Sequence, residues 1–371
     1  MRNRKLEKAL DLMKQKDLAS LVIFSGGTCS ILRPSYLYYF SEFRPMGPRN
    51  AAVVSSAGDV QLLVEPASDA TRARAKTWIE KVRGTSSFAR DLVSILQKLA
   101  PMGPVGVVGG VEMTRETYLA LERENNLVPA DDIIEEIARE KTAKELNVVR
   151  KAAEIADGGF NAFLESARVG IREYELAAQV EYAMRSAGAE DIFILLSSGK
   201  HNFEMHEPRD RRIQDGDVII GEITPVLEGQ FFQLCRTVVA GEPPPLVPEK
   251  YDILLRALEE TLRQVKAGAP ASVISRVMNG VISRAGYAEY CYPPHMRARG
   301  HGFGVGSIAP GGAIDDNTGA LLEKDQVVVI HPNQYLPEVG YLACGETYLI
   351  TNEGPEKLSK TETRLYIKEG Q

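Results

Sequence analysis

A chain of 371 residues, 44% apolar and 25% charged, has the make-up of an ordinary soluble globular protein, and its length predicts about two domains, each with a full core. A formal net charge of -6 lacks the basic excess that a nucleic-acid surface requires. No apolar run is long enough to span a bilayer, and the charged opening MRNRKLEKALDLMKQKDLA has no signal-peptide core, so the expected location is the cytoplasm.

In chain order, an amphipathic helix is predicted over about Leu6 to Lys16. The apolar runs LASLVIF, YLYYF, AAVVSS and VQLLVEP then read as strands. Helices follow around Asp69 to Val82 and Ala89 to Leu99, with a further strand at PVGVVGG, which completes an α/β unit ending near Ala130. A long helical stretch opens at Lys141 and begins a second unit, so the domains are placed at 1–138 and 139–371. That unit holds the helix REYELAAQVEYAMRSAG, strands at DVIIGEI and FFQLCRTVVAG, two helices between Pro248 and Ala285, and strands at QVVVIHP and ETYLIT. Helices interleaved with hairpin-spaced strands predict an α+β class.

Chemistry concentrates in the second unit. All five histidines lie between His201 and His331, and histidine is both the commonest neutral metal ligand and the usual proton carrier near neutral pH. Three segments place polar groups where strands should be apolar. The first is a hairpin formed by the runs Gly216 to Glu222 and Gly229 to Thr237, which carries Gln233 and Cys235 on buried strands. The others are Gly300-His301-Gly302-Phe303-Gly304, whose glycines permit close backbone approach to a ligand, and a wholly apolar strand ending in His331. The four cysteines, Cys29, Cys235, Cys291 and Cys344, share no CxxC spacing, which argues against a disulfide framework or a zinc knuckle.

The order and spacing of these segments resemble the pita-bread-fold proteins: methionine aminopeptidase, aminopeptidase P, prolidase and creatinase. KTAKELNVVRKAAEIAD resembles the helix that joins the two domains, GIREYELAAQVEYAMRSAGAE the helix after it, and SSGKHNFEMHEPRDRRIQDGD the segment with a substrate-side histidine. The resemblance implies a creatinase/prolidase-like architecture with a catalytic C-terminal domain. The family's peptidases hold two metal ions on two aspartates, one histidine and two glutamates. Carried over, those positions fall on Glu222, Gln233, His301, His331 and Gly345, of which only the histidine is unchanged. Hard divalent cations need several oxygen anions, so no dinuclear site and no required cofactor are expected. The alternative is one iron or zinc ion on Glu222, His301 and His331, a two-histidine, one-carboxylate set.

The departure resembles creatinase, which works without metal and hydrolyses a guanidino C–N bond. GHGFGV is close to its GHSFGV, and His206 aligns with its catalytic histidine. The expected function is hydrolysis of a C–N bond in a small carboxylate-bearing molecule. His206 would shuttle the proton, oriented by Glu207 or Asp210. Glu222 and His331 would position the substrate and His301 would meet the developing oxyanion. Gln233, Cys235 and Glu346 are expected at the substrate, although strand alternation turns residue 346 away from residue 345. Cys235 reads either as a nucleophile or as a small buried hydrophobe, and Arg236 as an ion-pair anchor. Arg44 and Arg49 are expected to reach a substrate carboxylate in the partner subunit of a homodimer. Two rival readings are a metal-dependent Xaa-Pro peptidase or iron-dependent lyase, and a silent binding homologue. His201 and His295 read as loop or dimer-contact residues.

Overall fold

The computed structural model describes residues 3–27, 33–99, 102–304, 306 and 312–368, so Cys29 lies outside the described residues. The chain divides into two compact units, residues 1–138 and, from Arg139 on, the remainder apart from 304–310. Among the described residues no helix is long and apolar enough to cross a membrane.

In the first unit the order is α1 (Arg4–Gln15), β1 (Ser20–Ser25), α2 (Tyr36–Ser41), β2 (Arg49–Ser55), β3 (Val60–Glu65), α3 (Ala70–Lys76), β4 (Lys81–Gly84), α4 (Phe88–Leu99), β5 (Val105–Val108), α5 (Arg115–Glu122), β6 (Leu127–Pro129) and α6 (Asp131–Arg139). The strands form one sheet in the order β4-β3-β2-β1-β5-β6, with β1 antiparallel to β2 and parallel to β5. All of β1 is buried because the sheet is covered on both faces. Leu21 and Ile23 enter a core with Leu6, Met13, Ile133 and Ile137, while Val22 and Phe24 enter a second core with Phe88, Leu92 and Leu121.

Two sequence expectations fail here for the same physical reason. The run YLYYF, read as a strand, is the helix α2, closed at its start by Ser35, whose hydroxyl accepts from the Tyr38 amide. A short apolar run buries equally well in either conformation, and the cap decides. The helix expected over Asp69 to Val82 ends at Lys76, and its last residues belong to β4, parallel to β3.

The second unit continues with α7 (Ala143–Ser166), α8 (Glu173–Ser186), β7 (Asp191–Gly199), β8 (Asp217–Leu227), β9 (Gln230–Phe231), β10 (Leu234–Ala240), α9 (Val247–Leu262), α10 (Ser272–Ile282), β11 (Gly300–Gly302), β12 (Ala313–Ile314), β13 (Val327–Ile330), β14 (Gln334–Leu336), β15 (Gly340–Leu342), β16 (Glu346–Ile350), β17 (Pro355–Lys357) and β18 (Tyr366–Lys368). Thr142 and Glu145 form a reciprocal capping box that starts α7. One sheet runs β18-β10-β8-β7, with β9 beside β8, and a second runs β12-β11-β13-β16-β17.

The hairpin predicted from the two polar-containing runs is present as antiparallel β8 and β10. Alternation along it separates two surfaces. Gly221 lies against Phe163 of α7, where an added Cβ would sit 3.2 Å from the ring. Val218, Ile220, Cys235 and Val239 instead share a core with Tyr251, Leu254, Ile274 and Met278 of α9 and α10 and with Val328 and Ile330 of β13. Glu222 continues the alternation of Val218 and Ile220 along β8, which brings a carboxyl to the end of an apolar strip.

Candidate active site

The site is built on β8, β10 and β11, the residue before β10 and the residue after β13. Glu222 and Cys235 stand directly opposite across the β8/β10 ladder, and Gln233 precedes β10 by one residue. His301 sits in β11, paired with Val329 of β13, and His331 follows the last residue of β13. His331 takes up its place because its amide donates to the Arg299 carbonyl at 2.8 Å, which extends the β11/β13 pairing by one step.

Side chains from these elements form a continuous polar chain. Gln233 Nε2 donates to Glu222 Oε1 at 2.7 Å, and the Cys235 thiol donates to Glu222 Oε2 at 3.4 Å. Cys235 Sγ lies 3.9 Å from His331 Nδ1, and His331 Nε2 lies 3.5 Å from His301 Nε2. Glu222, Gln233, Cys235 and His331 are all buried, whereas His301 is half-buried. Gln233 Oε1 is buried without a hydrogen-bond partner among the described residues.

Burial sets the protonation of this chain. Removal from water raises the Glu222 carboxyl to about 7, against an ordinary value of 4.5, and the Cys235 hydrogen bond only partly offsets it. Burial, then His301 and Arg299, push His331 down to about 3, so its imidazole is neutral. The Cys235 thiol is pushed well up, first by burial and then by Glu222. Cys235 is therefore a small buried thiol, not an activated nucleophile.

A two-metal centre does not fit these residues. Glu222 is the one carboxylate of the chain, and the amide of Gln233 turns a donor, not an acceptor, toward it. Gly345 leaves room that the His331 ring occupies. A Cβ added at residue 345 would lie 2.6 Å from His331 Nδ1 and 3.1 Å from Cys235 Sγ. A carboxylate side chain at 345 would therefore require the His331 ring to move from its present place. The single-ion set is not assembled either. Among the described residues no three His, Cys, Asp or Glu side chains form a group that could hold a metal ion, and Glu222 meets His331 only through Cys235.

Other expected residues are placed elsewhere. Glu346, expected at the substrate, is fully buried in an ion pair with Arg236 at 2.6 Å and also accepts from Ser359 Oγ at 2.7 Å. Alternation along β16 turns it away from the space at Gly345. Arg236 is the structural anchor that was expected, donating also to the carbonyls of Glu362 and Gly345 at 3.0 and 2.9 Å. Arg49 is held within its own unit by a two-point pair with Glu65 at 2.7 and 3.0 Å, because the two stand opposite across β2 and β3. Its guanidinium fork is thus engaged and does not present an open carboxylate site. Arg44 lies in the segment before β2, where its carbonyl accepts from Arg72 at 2.9 Å.

His206 is half-buried, and its Nδ1 lies 2.8 Å from the backbone carbonyl of Glu207. Of the two carboxylates expected to orient it, Asp210 pairs with Arg172, and what Glu207 offers at Nδ1 is its backbone carbonyl. Among the described residues it has no hydrogen bond to the Glu222–His301 chain. His201 and His295 join a ring cluster around Tyr335, with His295 stacked on it at 5.4 Å and Phe203 stacked at 6.0 Å.

Asn333 and Arg299 were given no role in the sequence reading, yet both bear on the site. Arg299 is buried and donates to Asn279 Oδ1, the Asn333 carbonyl and Gln334 Oε1 at 2.7 to 2.8 Å. Asn333 approaches His331 Nδ1 at 3.4 Å through Nδ2. The only sequence signal was position: Asn333 lies two residues beyond a histidine that ends an apolar strand.

The fold is that of the two-domain creatinase/prolidase architecture. Residues 147–352 match the model of metallopeptidase family M24, and residues 5–139 match the creatinase/prolidase N-terminal domain. The chain belongs to metallopeptidase family M24 and is a C–N bond hydrolase of that family. It is 28% identical over 340 residues to an Xaa-Pro dipeptidase of Pyrococcus furiosus, covering 90% of this chain and 94% of that one. It is also 26% identical over 372 residues to an Xaa-Pro dipeptidase of Pyrococcus horikoshii, covering 98% and 99%. Among solved structures, a prolidase from Thermococcus sibiricus superposes with a TM-score of 0.87 at 23% identity, over 99% of this chain and all of that one. The prolidase from Pyrococcus furiosus gives 0.82 at 26% identity, over 95% and 99%.

Proposed function

We propose that this protein hydrolyses the C–N bond of a small carboxylate-bearing molecule using side-chain acid–base groups in place of two metal ions. What supports the proposal is that Gln233, Glu222, Cys235, His331 and His301 converge through contacts of 2.7 to 3.9 Å, four of them at positions to which the resemblance carries the family's metal ligands. Glu222, raised to about 7 by burial, holds or releases a proton near neutral pH. His301, at the half-buried end, meets the substrate oxygen. His206 is the second acid–base candidate.

Kinship supports a second reading better than the first: both Pyrococcus relatives are Xaa-Pro dipeptidases, which points to a metal-dependent Xaa-Pro peptidase. The two separate in one assay. A panel of Xaa-Pro dipeptides, N-acyl and N-carbamoyl amino acids and guanidino acids is offered to the purified enzyme with and without manganese or cobalt. The first reading expects turnover of a panel member that added metal does not raise, with Xaa-Pro dipeptides left essentially intact, because the peptidase reaction needs a metal-bound hydroxide. Robust metal-dependent cleavage of Xaa-Pro dipeptides, lost in Glu222→Gln, would install the second reading.

A further inference from the structure

We infer that Asn333 is the positioning residue of the histidine pair: it sets the tautomer of His331 and, through it, that of His301. The consequence for turnover rests on the acid–base reading proposed above. The hydrogen-bond argument is independent of it.

The orientation of the Asn333 carboxamide is fixed from outside the pair. The Cys344 amide donates to Asn333 Oδ1 at 3.0 Å, so the NH2 side faces His331 Nδ1 at 3.4 Å. The Asn333 carbonyl accepts from Arg299 at 2.8 Å, which holds the residue at its other end. The second group beside His331 Nδ1 is Cys235 Sγ at 3.9 Å, whose one hydrogen is directed to Glu222 Oε2. The donor that faces Nδ1 is thus the NH2 of Asn333, so Nδ1 is the bare nitrogen, and a neutral imidazole then carries its hydrogen on Nε2.

That hydrogen points along the 3.5 Å contact to His301 Nε2, which must accept it. His301 in turn carries its hydrogen on Nδ1, and Nδ1 faces the Gly302 carbonyl at 3.3 Å. Each contact named along the series Cys344 N–H, Asn333, His331, His301 and Gly302 then pairs a donor with an acceptor. The series has one direction, and Asn333 supplies it. Reversal would set an imidazole N–H against the NH2 of Asn333 and a bare nitrogen against the oxygen of Gly302, two repulsive contacts in a largely buried setting.

Asn333→Asp keeps size and shape and still accepts from Cys344, but it presents an acceptor to His331 Nδ1. His331 should then hold its hydrogen on Nδ1, the opposite tautomer. The test is nitrogen-15 NMR of the full-length protein labelled at histidine, in which protonated and bare ring nitrogens have distinct shifts, with the five histidines assigned by single His→Gln variants. The wild type is expected to show hydrogen on Nε2 of His331 and Nδ1 of His301, and Asn333→Asp to reverse His331. Turnover of the active panel member should fall roughly a hundredfold or more in kcat, as for a histidine held in the wrong tautomer, with KM little changed. A wild-type His331 protonated on Nδ1 overturns the inference, as does an Asn333→Asp spectrum unchanged from wild type. The wild-type spectrum alone decides if the variant does not fold. Reversed tautomers with no panel member turned over by either protein would leave the inference standing and remove the proposed function.

Discussion

Replacing Glu222 by glutamine is expected to lower turnover by about two to four orders of magnitude, the usual contribution of a positioned acid or base. The substitution is nearly isosteric and keeps a partner for Gln233, so the effect is on proton transfer. Its signature is a change in how stability depends on pH. The Glu222 carboxyl is raised to about 7 from 4.5, so the folded chain retains a proton that the unfolded chain has lost between those values. Stability from this group is complete below pH 4.5 and is lost as pH rises to 7, on the order of 3 kcal/mol in all. His331, lowered to about 3 from 6.5, works the other way, and its stability is lost as pH falls below 6.5. Between 4.5 and 6.5 the two slopes oppose each other. Glu222→Gln uncovers the His331 slope, so the variant should lose unfolding midpoint more steeply than wild type on acidification through that range. Identical profiles for the two proteins would contradict the assignment of a buried, proton-holding Glu222.

Arg236→Ala is expected to cost about 3–5 kcal/mol of stability, the range for removing one partner of a buried ion pair. Both side chains are fully buried, and the loss leaves the Glu346 carboxylate with Ser359 Oγ, the Thr347 amide and the more distant Lys357 at 3.6 Å. It also releases the carbonyls of Thr361 and Glu362, which tie the segment before β18 to the sheet. Denaturant titration followed by circular dichroism reads the effect. The double variant Arg236→Met with Glu346→Leu should recover most of the loss, because an apolar pair of similar volume leaves no charge buried alone. A single variant within about 1 kcal/mol of wild type would show that the pair does not hold this region, since effects of that size are typical of exposed pairs.

Much of the fold was legible because its strongest signals are periodic. The long helix from Thr142, the β8/β10 hairpin and the strand ending in His331 all announce themselves by spacing and by polar residues in apolar runs. The run at Tyr36 to Phe40 was misread because periodicity cannot separate a short buried strand from a short buried helix, and the deciding hydrogen bond comes from Ser35.

The site was legible in part. Glu222, Gln233, Cys235, His301 and His331 do converge, since neighbouring strands bring them together. Glu346 was misplaced because charge alone does not reveal a partner, and it is claimed by Arg236 on another strand, while Arg49, expected to act in a partner subunit, pairs with Glu65 in its own. The role of Asn333 depends on which side of its amide faces the Cys344 N–H, a contact between residues eleven positions apart that no spacing rule contains. Gly345 showed only as a lost ligand. The structure adds that its missing side chain is what admits the ring of His331.

The most direct test of the central claim is the metal content of the active enzyme. Full-length protein purified without added metal, and again after incubation with manganese, cobalt, zinc or iron and desalting, is measured by plasma mass spectrometry alongside its turnover of the panel substrate. The account predicts no stoichiometric pair of divalent ions in either preparation and turnover unchanged by a chelator, because Gln233, His331 and Gly345 do not supply the shared carboxylates such a pair needs. Two tightly held equivalents per chain, with turnover that rises and falls with them, would contradict it.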